Sequence, residues 1–250
     1  GPFALMNLTG PPIALHSTDY LAEQLETPRY VGAENLREMV EAGEQWAIGE
    51  DTECSKEAEE IIKTRLLGQV FAVAGQIVDE EICSLEDVDR GAKVGLRWAK
   101  GPFELANRIG IDVARSMAAD YSELANFPLP KTWERDGKFD FNYVDLQVDG
   151  DIATITINRP EAMNALNETV VGQLGNAIDM ANSNEDVATI VLDGAGKAFV
   201  AGADVKFFVD KIKADSFPDI YDFTADGHVV LNKLEDSSKT TIALTTGLSL

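Results

Sequence analysis

The sequence predicts an all-α first half followed by an α/β second half. Three observations carry this reading. A ten-residue string recurs at an offset of 100, as Gly1–Gly10 (GPFALMNLTG) and Gly101–Gly110 (GPFELANRIG), identical at six of ten positions. Helical periodicity dominates up to about residue 125. Beyond 142 it gives way to strand-like alternation and a strand–helix–strand order.

In each repeat, Pro at the first helical position has its φ preset and needs no N–H partner. Phe and Leu start a buried stripe, and the closing Gly suits a helix C-cap. Ala14 and Ala114 keep the register, while Asp19-Tyr20 and Asp120-Tyr121 are displaced by one residue. Between the copies, Lys63–Val78 reads as a helix with Leu66, Val70, Val73 and Ile77 on its apolar face. Ser84 is the expected N-cap of the next helix, with Asp87 at its third position.

Residues 126–142 carry two Pro and alternate charge with aromatics, which marks a linker. Asp151–Asn158 alternates as a strand with Ala153, Ile155 and Ile157 on one face, and Arg159-Pro160 ends it. Asn167 is the expected N-cap of a helix whose first turn holds Glu168 and whose apolar row is Val170, Leu174 and Ile178. Ala188–Leu192 is short and continuously apolar, a strand expected to be buried on both faces. Gly194–Phe208 then forms a glycine-bearing loop leading into a helix. Ala201-Gly202-Ala203 lets backbone approach a ligand. Asp204 sits in the first helical turn, and the N–H of Ala203 would point outward, a donor suited to developing negative charge. A tight turn packed for steric reasons would look the same.

Composition excludes several classes. The 250 residues are 45% hydrophobic, enough for one large core or two modest ones. No run of eighteen apolar residues occurs and the N-terminus has no signal-peptide layout, so the expected location is the cytoplasm, with no membrane partner. Two Cys make no disulfide framework, and His16 and His228 lie far apart, so no metal site is expected. Asp plus Glu number 43 against 21 Lys plus Arg, a net charge of −22 that disfavours nucleic acid. The acids are scattered, which suits a halophilic surface whose self-repulsion is screened by salt. An acidic protein of ordinary salinity is the other reading.

Two resemblances rest on these residues. KTRLLGQVFAVAGQIVDEEICSLEDVDRGAKVGLRWAKGPFELANRIGID resembles the C-terminal helical domain of 3-hydroxyacyl-CoA dehydrogenases, over about Ser55–Leu124. Residues 1–49 look like the end of an earlier copy. The family usually has Asn where Thr64 stands, so this copy departs at a position near substrate. ITINRPEAMNALN, IVLDGAGKAFVAGADVKFF and KTTIALTTGLSL look like the crotonase, or enoyl-CoA hydratase/isomerase, family, over about Val144–Leu250. The resemblances imply a fold of α/β plus all-α class: a remnant helical repeat at 1–50, a second repeat at 51–125, the linker at 126–142, and at 143–250 the front part of a crotonase-like ββα spiral domain.

They also imply an acyl-CoA substrate and a bifunctional β-oxidation enzyme that hydrates enoyl-CoA and oxidises 3-hydroxyacyl-CoA. Ala203 would supply one backbone N–H of the oxyanion hole. Ala201, Ala203, Asp204, Val205 and Lys206 would line the acyl-CoA channel, and Ala162, Met163 and Ala165 would border the adenine and pantetheine. Lys197, Lys206 and Arg159 are candidates for the CoA phosphates. Asp193 and Asp204 read as turn and capping residues, and the family's acid/base glutamates and second oxyanion donor are expected beyond Leu250. The fragment alone is then expected to be inactive, an isomerase or a non-catalytic CoA-binding scaffold being the alternatives. No GxGxxG occurs, so no cofactor is expected on this chain; CoA enters as part of the substrate and NAD belongs to a domain upstream. The families imply a homo-oligomer.

The acidic surface makes a first prediction. The melting temperature should rise by several degrees between low and molar KCl, measured by thermal unfolding; a flat profile refutes the halophilic reading.

Overall fold

The computed structural model describes residues 2–49 and 54–250. The chain forms two compact units. One is drawn from residues up to Ala92 and from Leu96–Phe139; the other from Asp140–Leu250 with Lys93–Gly95. The domain boundary placed at 50/51 lies outside the described residues.

The first unit is helical: α1 (Pro2–Thr9), α2 (Pro11–Gln24), α3 (Glu34–Ala42), α4 (Lys56–Asp79), α5 (Leu85–Gly95), α6 (Pro102–Ile109) and α7 (Ile111–Leu124). The repeat is structural. α1 and α6 have 8 residues each, α2 and α7 have 14 each. Each pair is joined by one glycine, Gly10 (φ 97) or Gly110 (φ 104), a conformation only glycine adopts without strain. Each closing Gly N–H donates to the fourth carbonyl back, that of Met6 or Ala106. The copies even end alike, with Glu26 (φ 50) and Asn126 (φ 48) in left-handed backbone. Their burial differs: Phe103 is fully buried, whereas Phe3 is 49% exposed.

The buried face of α4 is not the expected one. Leu66 is 60% exposed, and Val70, Val73 and Ile77 line an apolar cleft with Val88, Leu96 and Trp98. The buried residues are Gly68, Phe71, Ala72, Ala74 and Gly75. α7 explains the choice, because it brings the fully buried Ala114 and Ala118 so close that a Cβ on Gly68 would overlap the Met117 carbonyl. Close helix approach selects small residues, which an apolar-periodicity reading ranks below Leu and Val. By length and composition alone α4 could cross a membrane, but its small-residue face is core.

Ser84 caps α5 as expected, its Oγ accepting the Asp87 N–H at 3.2 Å. α6 is capped differently. Asp89, 1% exposed, accepts the N–H groups of Phe103 and Glu104, both at 2.8 Å. A Cβ on Gly101 would overlap that carboxylate, so the glycine makes room for the cap. The segment expected to be a linker is built into this unit as far as Phe139. Trp133 is fully buried among Phe71, Phe103 and Phe139, with ring centroids at 5.4, 6.1 and 5.4 Å. Its indole N–H donates to the Phe71 carbonyl at 3.1 Å.

The second unit begins with a hairpin, β1 (Val144–Asp149) and β2 (Ile152–Ile157), turning at Gly150 (φ 59). α8 (Glu168–Ser183) crosses over to β3 (Thr189–Gly194), which runs parallel to β2. There follow β4 (Ala198–Val200), α9 (Val205–Lys213), α10 (Phe217–Glu235), β5 (Thr240–Ala243) and β6 (Leu248–Ser249). The main sheet has order β1-β2-β3-β5, and β4 pairs with β6 in a second. Ala153, Ile155 and Ile157 are at most 1% exposed and face the buried row Val170, Leu174 and Ile178. Asn167 caps α8, its Oδ1 accepting the Val170 N–H at 3.0 Å. β3 departs from expectation: Ile190, Leu192 and Gly194 are buried, but Val191 and its neighbours on the other face are only half-buried. Two-sided burial needs a second layer, which strand composition alone cannot report.

Gly68→Ala tests the α4–α7 contact. Alanine gains about 1 kcal/mol of helix propensity, but overpacking against backbone costs about 1–3 kcal/mol. We expect a net loss of stability, read by urea unfolding with tryptophan fluorescence.

Candidate functional site

The loop after β2 is set by its own backbone conformation. Arg159-Pro160 opens a short 3-10 turn, Pro160–Ala162, and Met163 (φ 52) and Asn164 (φ 56) then take left-handed conformations in succession. Asn164 is fully buried. Its Nδ2 donates to the carbonyls of Ala195 (2.9 Å) and Ala198 (2.7 Å), and its Oδ1 accepts the Arg159 N–H at 2.9 Å. One side chain therefore binds the loop after β2 to the loop between β3 and β4. Buried amides are tolerated when satisfied in this way.

The two loops then pair as backbone. Ala201 N–H donates to Met163 O at 3.1 Å, Leu166 N–H to Gly202 O at 2.9 Å, and Asp204 N–H to Leu166 O at 2.8 Å. Leu166 and Ala203 form an isolated parallel bridge. In such a bridge the residues flanking Ala203 bond to Leu166, so the Ala203 N–H and C=O face the other way. That N–H donates to no protein acceptor among the described residues, and Ala203 is exposed. Asp204 then caps α9, its Oδ1 accepting the Lys206 N–H at 3.0 Å.

The bridge brings the two predicted groups of residues, 162–165 and 201–206, side by side. Ala162, Ala165, Ala201 and Asp204 are half-buried; Met163, Val205 and Lys206 are exposed. The amide of Ala201 is occupied, and the carbonyl of Ala165 accepts Arg159 Nη1 at 3.0 Å. Arg159 also pairs with Asp204 at 2.8 Å and lies 5.6 Å from the centroid of the Tyr143 ring. Its charge is thus compensated within the protein. Lys197 and Lys206 are exposed, and their ammonium groups make no ion pair among the described residues. At the far end of α9, Lys211 meets Asp219 at 2.6 Å; that hydrogen bond and one from Ser216 hold the Asp219 carboxyl below its usual range.

Sequence reasoning missed Asn164 and Leu166. Asn164 falls within the stretch Glu161–Ala165 that the resemblance sets against the adenine and pantetheine, but its side chain serves backbone. Asp193, expected to be a turn residue, instead lies in β3 opposite Thr156, its carboxylate accepting the Gly194 N–H at 2.8 Å. No group of three His, Cys, Asp or Glu is placed to hold a metal among the described residues. The Cβ position of Gly194 is filled by the Ala198 and Phe199 carbonyls, so that glycine allows the close packing of its own chain.

With this geometry in place, similarity to known proteins becomes informative. Residues 152–250 match the enoyl-CoA hydratase/isomerase family. Residues 62–135 match the C-terminal domain of 3-hydroxyacyl-CoA dehydrogenase. A probable enoyl-CoA hydratase of Mycobacterium tuberculosis is 37% identical over 99 residues, which are 40% of this chain and 36% of that protein. A short-chain-enoyl-CoA hydratase of Clostridium acetobutylicum is 35% identical over 112 residues, 44% of this chain and 41% of that one. The chain thus spans roughly two fifths of these relatives. Among solved structures, an enoyl-CoA hydratase from Thermoplasma volcanium is 31% identical with a TM-score of 0.38, covering 42% of this chain and 40% of its own.

Asn164→Ala removes three hydrogen bonds at a buried point and should cost about 3 kcal/mol, at 1–3 kcal/mol for each group left unsatisfied. Asn164→Asp turns acceptors toward two carbonyls. Burial would raise its folded pKa above the unfolded value, so this variant should regain stability as pH falls and lose it as pH rises. Thermal unfolding of both variants across pH 4–8, a window that opens at the ordinary Asp pKa of about 3.9, checks the sign.

Proposed function

We propose that the second unit is an acyl-CoA-binding segment of enoyl-CoA hydratase type, in which the Ala203 amide is one donor to the thioester oxygen. One observation carries this reading. The amides of Ala201, Leu166 and Asp204 are all bonded within the protein, while that of Ala203 is exposed and turned away from the bridge. Water addition to an α,β-unsaturated thioester places enolate-like charge on the carbonyl oxygen. A donor fixed beforehand stabilises that charge without reorganising, by about 3–4 kcal/mol. Ala162, Met163 and Ala165 border the adenine and pantetheine, Ala201, Asp204 and Val205 line the channel, and Lys197 and Lys206 meet the CoA phosphates.

The similarity to two families supports a larger reading, a bifunctional enzyme of β-oxidation. Hydration creates a 3-hydroxyacyl-CoA, and the alcohol so made is the substrate of a dehydrogenase. On this reading NAD, which would supply the redox chemistry when bound, would be held by a domain other than the two described here. The hydratase carboxylates also come from elsewhere, because Asp193 and Asp204 are already engaged. On this reading the protein works in the cytoplasm as an assembly of identical copies.

The test uses Ala203→Pro in the full-length enzyme, which deletes the amide. We expect crotonyl-CoA hydration to lose about 10²–10³-fold in kcat, the usual effect of one oxyanion donor. Oxidation of 3-hydroxybutyryl-CoA in the same preparation should persist, and an unchanged circular dichroism spectrum and thermal unfolding profile serve as the folding control. Undiminished hydration overturns the assignment, and so does crotonyl-CoA turnover by the 250-residue chain alone.

A further inference from the structure

We propose that the Arg159–Asp204 ion pair keeps the Ala203 amide on aim and keeps its surroundings electrically neutral. Both are positioning residues, and the inference rests on the role given to Ala203 above. The geometry is compact. Asp204 uses one carboxylate oxygen to cap α9 through the Lys206 N–H, at 3.0 Å, and the other to receive Arg159 Nη1, at 2.8 Å. The same nitrogen donates to the Ala165 carbonyl at 3.0 Å. Ala165 directly precedes Leu166, and Asp204 directly follows Ala203. One guanidinium therefore ties down the chain next to each half of the bridge that orients the amide. Tyr143 supports it from the side, its ring centroid 5.6 Å away.

Charge gives the pair a second task. A carboxylate is a good cap for α9, but it stands one residue from a donor meant for negative charge. Left alone, Asp204 would oppose the charge that Ala203 is there to stabilise. Arg159 cancels it at contact distance. Both side chains are only 16% exposed, so solvent screens this balance less than it would a surface pair. The same compensation makes Arg159 a poor phosphate ligand compared with Lys197 or Lys206. A guanidinium also suits the task better than an ammonium, since its rigid fork fixes direction as well as charge.

The experiment compares Arg159→Met, Arg159→Lys, Asp204→Asn and the Met/Asn double variant in the full-length enzyme. Crotonyl-CoA hydration is resolved into kcat and KM. Native-state amide exchange at Leu166 and Asp204 is read without ligand. We expect Arg159→Met to lower kcat about 10–100-fold, the scale of a small misplacement, with KM little changed and exchange accelerated at both amides. Arg159→Lys should recover part of the loss. The double variant should exceed Arg159→Met in kcat, because it removes the uncompensated charge, an outcome a purely structural role would not produce. Unchanged kcat in Arg159→Met overturns the proposal. So does a rise confined to KM, which would make Arg159 a phosphate contact, or a double variant worse than the single. If the unmutated enzyme neither hydrates nor binds crotonyl-CoA, the functional reading fails, and amide exchange still judges the pair: unchanged rates in Arg159→Met overturn the holding role.

Discussion

The side-chain amide of Asn164 faces the carbonyls of Ala195 and Ala198, and that pairing decides where the loop after β2 can lie. Two successive non-glycine residues in left-handed backbone are costly, about 1–2 kcal/mol each. Asparagine is among the few residues that tolerate the conformation. Here its side chain also returns three hydrogen bonds from a fully buried position. The reversal it permits turns the Met163 carbonyl toward Ala201 and brings Leu166 into register with Ala203. The amide of Ala203 is left outward because its neighbours are committed inward. An exposed donor is thus produced by a buried acceptor-and-donor set some forty residues away in sequence.

Local chemistry was legible in the sequence. Asn167 and Ser84 cap the helices they were expected to cap, since a cap needs only the next three residues. The alternation of β2 marked its buried face, because a period of two with β-branched residues admits few other readings. The two halves of the repeat could be matched, down to the glycine that joins each helix pair. What could not be read was coverage. Phe3 and Phe103 sit in near-identical strings, yet only the second is buried, because α4 lies against α6 and α7. For the same reason α4 buries Gly68, Ala72 and Gly75 rather than Leu66 and Val70. The partner's distance sets which face is core, and that distance is not a property of the strand or helix itself.

The site was legible in an uneven way. Ala203 could be singled out only because the resemblance gave it a role, since a tight turn of small residues would look the same. Arg159 was visible as a cation but not as half of a pair, since its partner lies 45 positions on. Charge bookkeeping sharpens this. In a chain with 43 acids and 21 Lys plus Arg, some cations find an acid, as Arg37 does with Asp19 at 2.9 Å and Lys211 with Asp219 at 2.6 Å. Lys197 and Lys206 make no such pair among the described residues, and both lie close in sequence to Ala203. On the proposed reading, these two ammonium groups would meet a ligand that brings its own negative charge.

Such a ligand would meet two opposing fields at the start of α9. The helix N-terminus presents partial positive charge to an anion, a contribution that falls off within the first turn. Asp204 sits in that turn, and as a cap it satisfies backbone donors that would otherwise help bind the anion. A neutral cap such as serine would bond the Lys206 amide without adding charge, but it could not also receive a guanidinium strongly enough to draw Ala165 toward α9. The aspartate becomes useful only because Arg159 accompanies it. Together they add no net charge and three directed hydrogen bonds; on the proposed reading the amide of Ala203 would thereby gain a fixed direction while the local field kept the sign that a developing oxyanion requires.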